Sequence, residues 1–131
     1  MKNLVTAIAC VIVLSVFLVQ ITSYQTAHSR ILYAETAVNA AAEEAKQDGC
    51  FTDENIARLQ NKLAARLKCE PGEIVVTAPG IPVMRGSLID YTVEYPLKHV
   101  IGAAKLLGIE DEANSLRNTI RGTVASEYIG R

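Results

Sequence analysis

No tryptophan occurs in this chain, and its aromatic residues come to 5 %, five tyrosines and two phenylalanines. That removes the stacking platforms on which nucleobases and sugars are usually held. Basic and acidic residues are nearly balanced, 13 against 14, and are spread along the chain. Without a basic patch, nucleic acid is not expected as a partner. Two histidines, His28 and His99, stand apart from each other and from any cysteine or carboxylate cluster at ligand spacing, so no metal is expected. A glycine-rich phosphate loop, a G-x-S-x-G elbow and a C-x-x-C pair are all missing. The acidic groups Glu43–Glu44 and Glu110–Asp111–Glu112 read as solvated charges. The expectation is a protein that is not an enzyme, with no cofactor and no small-molecule substrate.

Glycine and proline are the other telling absence: neither occurs between Met1 and Gly49. Nothing in that stretch breaks a helix, and alanine, glutamate, lysine and glutamine crowd its second half. A single helix is expected over 1–48. Its first part, "LVTAIACVIVLSVFLVQI" (Leu4–Ile21), carries no charge. At the helical rise of about 1.5 Å per residue this run covers roughly 27 Å, close to a bilayer's hydrocarbon core. A transmembrane segment over 4–21 follows. Only Thr6, Ser15 and Gln20 interrupt it with polar atoms, and hydroxyls can bond back to their own helix.

A secretory signal would have a shorter apolar region and a small-x-small cleavage site. "ITSYQTAHS" contains no clear A-x-A, and although "AIAC" ending at Cys10 faintly suggests a lipoprotein box, the apolar run continues well past it. Retention of the span is the expectation, with Cys10 a small lipid-facing residue. Lys2 and the terminal amine precede the run and the next charge is Arg30, so the N-terminus is expected in the cytoplasm and the rest outside.

Beyond the span a seven-residue spacing appears. Tyr24, Ile31, Val38 and Ala45 form one row, and Ala27, Ala34 and Ala41 fall three residues after its first three members. This is a heptad-type stripe for helix packing. Being mostly alanine it buries little area, and its use is close approach rather than hydrophobic energy. Two occupants fit it: a neighbouring helix of another copy, or, over 34–47, the chain's own head.

Residues 49–131 read as one small extracytoplasmic domain. "FTDENIARLQNKLAARLK" opens with Thr52 or Asp53 as a cap and places Ile56, Leu59, Leu63 and Leu67 on one face of a second helix. A turn at Pro71–Gly72 leads to a strand around Glu73–Ala78. Ile89, Tyr91, Val93 and Tyr95 alternate with Asp90, Thr92 and Glu94, the pattern of a half-buried strand. Ile120, Gly122 and Val124 repeat it against Arg121 and Thr123. The fold class is therefore α+β: a long N-terminal helix, then one helix on an approximately three-stranded antiparallel sheet.

The segment "LKHVIGAAKLLGIEDEANSLR" between the last two strands is too long for a hairpin and too apolar for a solvated loop. It is expected to hold a short helix with Val100, Ile101, Ala104 and Leu107 or Leu106 along one side. Val100, Ile101 and Leu107 are a candidate contact surface for a neighbouring subunit or the membrane face; a lid on the core is the other reading, favoured for Leu107 as the surface is for Ile101. Cys50 and Cys69, in an oxidising compartment, are a candidate disulfide. A helix over 53–67 would hold them about 21 Å apart unless the flanks fold back, so two thiols are the alternative.

A membrane-length run continuing unbroken into an alanine-rich helix and a small α+β head resembles the plan of pilins and pseudopilins. More narrowly, "AETAVNAAAEEAKQDGCFTDENIARLQNKLAARL" with "IVVTAPGIPVMRGSLIDYTVEYPL" resembles the TadE-type minor pilins of tight-adherence (Tad) pilus and related secretion systems. The resemblance spans most of the chain, and its motifs are compositional. It implies a subunit inserted in the cell membrane that packs through its helix with copies of itself or other pilin-like subunits, in an extracellular filament or its assembly machinery. Only "MKN" precedes the apolar run and the first acidic residue is Glu35, so Met1 is expected to be kept. The alternative is a membrane-tethered binding module that forms no filament.

Overall fold

The computed structural model describes residues 1–130. The first helix, α1 (Lys2–Asp48), runs 47 residues without a break, as the lack of glycine and proline requires. It stops at Gly49, whose φ of 78° is a left-handed conformation that glycine adopts at little cost. A side chain there would also collide with Tyr128 Cβ, 2.8 Å from the added Cβ. The second helix, α2 (Asp53–Leu67), starts at Thr52, whose hydroxyl accepts the Asn55 N–H at 3.2 Å. It ends at Lys68 in the left-handed conformation. Three strands follow, β1 (Val75–Thr77), β2 (Leu88–Lys98) and β3 (Ser115–Ala125), ordered β1-β2-β3 in one antiparallel sheet. The β1–β2 register pairs Val75 with Glu94, Val76 with Val93 and Thr77 with Thr92.

Two compact units emerge, and they are not cut at the end of α1. One comprises Met1–Ser29 with Leu97–Leu116; the other comprises Arg30–Pro96 with the segment from Arg117 onward. The second unit holds the main core. From α1 it takes Ala34, Val38, Ala41, Ala42 and Ala45, from α2 Leu59, Leu63 and Leu67, and from β2 Ile89, Tyr91, Val93 and Tyr95. The alternation read from the sequence in β2 is the observed burial alternation. In α2 the expected inward residues Leu59, Leu63 and Leu67 are buried, and only the first turn differs: Asn55 is buried and Ile56 half-buried. The reason is a hydrogen bond, Asn55 Nδ2 to the Ala41 carbonyl at 3.0 Å, which docks α2 on the alanine row of α1. Arg66 lies over the Tyr33 ring at 5.5 Å and adds a cation–π contact between the same two helices.

The tail is tied down within the same unit. Ser126 N–H donates to the Ser87 carbonyl at 2.8 Å, its hydroxyl to the Val83 carbonyl at 2.7 Å, and Glu127 N–H to the Lys46 carbonyl at 2.8 Å. Cross-strand side-chain pairs brace β2 against β3: Arg117 with Glu94 at 3.1 Å, Asn118 with the Tyr95 hydroxyl at 2.8 Å and Thr123 with Asp90 at 2.6 Å.

In the other unit the segment after β2 is not the α-helical lid read from the sequence. It forms a single 3-10 turn, Ala104–Leu107, between Ala103 and Gly108, both left-handed. Of its apolar residues only Ala104 is buried; Leu107 is 63 % exposed and covers nothing. Four-residue winding between two left-handed residues cannot align Val100 with Leu107 on one face, which is why the expected amphipathic helix does not form.

Candidate functional site

Among the described residues no group of three or more histidines, cysteines or carboxylates is placed to hold a metal ion. His28 is an exposed residue stacked parallel to Tyr24, ring centroids 6.4 Å apart. His99 is exposed on a left-handed turn. Glu43 pairs with Lys46 at 2.9 Å, which raises the lysine pKa, and Glu44 pairs with Arg58 at 3.1 Å. Both are ion pairs at the surface.

What remains is the helix surface. Every large apolar residue from Leu4 to Ile21 is exposed, and none of the 18-residue apolar window is buried. By length and composition this helix suffices to cross a membrane. Its two hydroxyl interruptions are satisfied within the helix, as lipid requires. Thr6 donates to the Lys2 carbonyl at 3.0 Å and Ser15 to the Val11 carbonyl at 2.8 Å. Gln20 does not bond back along the helix; its Oε1 accepts the Gly102 N–H at 3.2 Å.

The heptad stripe divides at its middle. Tyr24 is exposed and Ala27 and Ile31 are half-buried, so this part remains accessible. Ala34, Val38, Ala41 and Ala45 are buried by the chain's own head. Of the two occupants the sequence left open, the second is thus the observed one from Ala34 onward. Ala42, outside the row, is buried as well, because the head wraps more of α1 than a two-helix seam would. Close approach is indeed what alanine permits here, but α2 makes the approach.

Cys50 and Cys69 stand as thiols rather than as a disulfide. They flank opposite ends of α2, which is about 21 Å long from Asp53 to Leu67. Burial pushes the Cys50 thiol above its usual pKa, with Asp48 and Asp53 adding to the effect. Such a thiol is a poor nucleophile.

Of the expected contact residues Leu107 is exposed, whereas Val100 and Ile101 are half-buried. Asn114 explains this. Its side chain receives the Ile101 N–H at 2.6 Å and donates to the Ile101 carbonyl at 3.0 Å, so one amide replaces a strand partner. The Val100 N–H reaches the Asn114 carbonyl at 3.4 Å. Sequence reasoning passed over Asn114 and Asn55 because a single asparagine carries no periodicity. Both are buried in the structure, and no signal in the sequence marks them. No family model, curated protein or solved structure matches the chain.

Proposed function

We propose that this protein is a non-enzymatic, pilin-like subunit of the TadE type, held in the cell membrane by one span, with its N-terminus in the cytoplasm and its head outside. It packs through the exposed face of α1 with copies of itself or other pilin-like subunits, in an extracellular filament or the machinery that builds one. The observation that carries the reading is the fully exposed apolar window within an unbroken 47-residue helix. Burying a large apolar side chain contributes about 1.5–3 kcal/mol, so this surface needs lipid or another subunit around it, and a pilin uses each in turn.

One observation favours the tethered binding module instead: the head already covers Ala34 to Ala45, leaving Tyr24, Ala27 and Ile31 as the stripe's open part. Mechanical shearing of cells followed by immunodetection separates the two. The subunit reading expects the protein in the sheared fibre fraction, and expects Ala27→Phe to confine it to the membrane without altering protease resistance of the head. Wild-type protein confined to the membrane fraction would reverse the assignment in favour of the module.

A further inference from the structure

The 3-10 turn Ala104–Leu107 presents two adjacent leucines to solvent, Leu106 at 89 % and Leu107 at 63 % exposure. Neither serves the core of its own unit. Where the turn is fastened is specific. Gly102 sits so close to α1 that a Cβ on it would lie 2.5 Å from Ser23 Oγ and 2.7 Å from Val19 Cγ1. Its N–H is the group bonded to Gln20. Val19 and Ser23 straddle Ile21, the last residue of the apolar run, so the backbone of this segment is pinned at the level where the span ends.

From Gly102 to Leu106 is four residues. Two residues of loop and two of the 3-10 turn keep Leu106 within roughly 11 Å of Gly102, so the turn stays within reach of the headgroup–acyl boundary, the level at which Gly102 is pinned. The Asn114 clasp on Ile101 holds the base of the excursion, and Lys105 faces Asp111 at 3.9 Å. We infer that Leu106 and Leu107 form a shallow membrane anchor, inserted at the headgroup–acyl boundary on the side where the span ends, and that this second attachment fixes the segment against the bilayer. The inference rests on the single-span part of the proposed function. Exposed Glu110, Asp111 and Glu112 in the same excursion stay in water and disfavour anionic lipid. The chemistry therefore fits a neutral, zwitterionic surface, with apolar insertion supplying the attraction.

The absence of tryptophan makes the test direct, since any introduced tryptophan is the only one. Full-length Leu106→Trp and Phe17→Trp are reconstituted separately in phosphatidylcholine vesicles, with and without lipid brominated on the acyl chain near the headgroup or deep in it. The expected result is quenching of Phe17→Trp by deep bromine, quenching of Leu106→Trp mainly by shallow bromine, and protection of both from aqueous iodide. Leu107→Trp should behave as Leu106→Trp, which covers the case of a misfolded first variant. If Phe17→Trp is quenched while the turn variants respond to iodide and not to bromine, the anchor is refuted and the span stands. Turn variants protected from iodide yet blind to bromine would mean a protein contact and equally overturn the anchor. If Phe17→Trp itself escapes bromine, the span fails and the anchor with it.

Discussion

Gly122 allows the packing of the head to be tested with a sign rather than a size. Its φ is not in the left-handed region, so nothing in the backbone asks for glycine. Space does. A Cβ added to Gly122 would run into the hydroxyl and Cζ of Tyr91 and come within 3.0 Å of its Cε1. The tyrosine cannot swing aside freely, because its ring is buried and tilted against Phe51 with centroids 5.3 Å apart. Overpacking of this kind costs about 1–3 kcal/mol, whereas alanine in place of a strand glycine gains about 0.5–1 kcal/mol. Gly122→Ala should therefore lose roughly 1–2 kcal/mol, and at 4–8 °C per kcal/mol for a domain of this size its Tm should fall by about 4–16 °C. Tyr91→Leu lacks all three offending atoms. On that background only the favourable backbone effect remains, and Gly122→Ala should leave Tm unchanged or raise it. Calorimetric unfolding of wild type, both single variants and the double variant in detergent micelles completes the cycle. A single variant melting at or above wild type, or equal drops on both backgrounds, would refute the steric account.

Two other outcomes follow from the core and its buried acids. Ala45→Leu should lower the melting temperature of the head by an overpacking cost of about 1–3 kcal/mol, while Ala40→Leu, on the exposed side of α1, should leave it nearly unchanged; equal effects in a thermal melt would mean the stripe is not internal. Burial raises the pKa of both Cys50 and Tyr95, the latter opposed by the Asn118 hydrogen bond and assisted by Glu35. Both groups are thus protonated more firmly folded than unfolded, so stability is complete below the unfolded thiol pKa of about 8.5 and declines as pH rises through that value and beyond. Denaturant titrations from pH 7 to 10 should show this decline, shallower in Cys50→Ala; a stability that climbs over that range contradicts the assignment.

The helices, the alternation in β2 and the half-buried set of β3 were legible because each rests on repetition: three or more residues at one spacing outvote a single exception. The stop at Gly49 was legible because only one residue type enters a left-handed conformation cheaply. The failures share the opposite character. Lys68, His99 and Ala103 adopt that conformation without being glycine, and at Ala103 the consequence is a 3-10 turn in place of the expected helix. Asn55 takes the inward place expected of Ile56 in the first turn of α2 through one hydrogen bond, and Asn114 organises a whole excursion through two.

The stripe shows a different limit. Periodicity states that a face is buried without saying by what, and alanine makes the question sharper because it admits a near neighbour while contributing little energy to hold one. The head is linked to α1 through only four residues, Gly49–Thr52, before α2 begins, so its effective concentration at that face is far above that of any other copy. Unless another copy binds the face much more tightly, covalent linkage decides the competition for Ala34–Ala45. The same reasoning runs the other way for Leu4–Ile21. There, among the described residues, none of the apolar window is buried and only the Gly102 segment touches it, at Val19 and Gln20, so on the proposed reading lipid or another subunit covers the rest. The boundary between internally satisfied and externally demanding helix lies across Tyr24–Ile31, where residues pass from exposed to half-buried. A substitution at Ala27 should therefore report on assembly, one at Ala45 on folding, though both belong to the same row of seven.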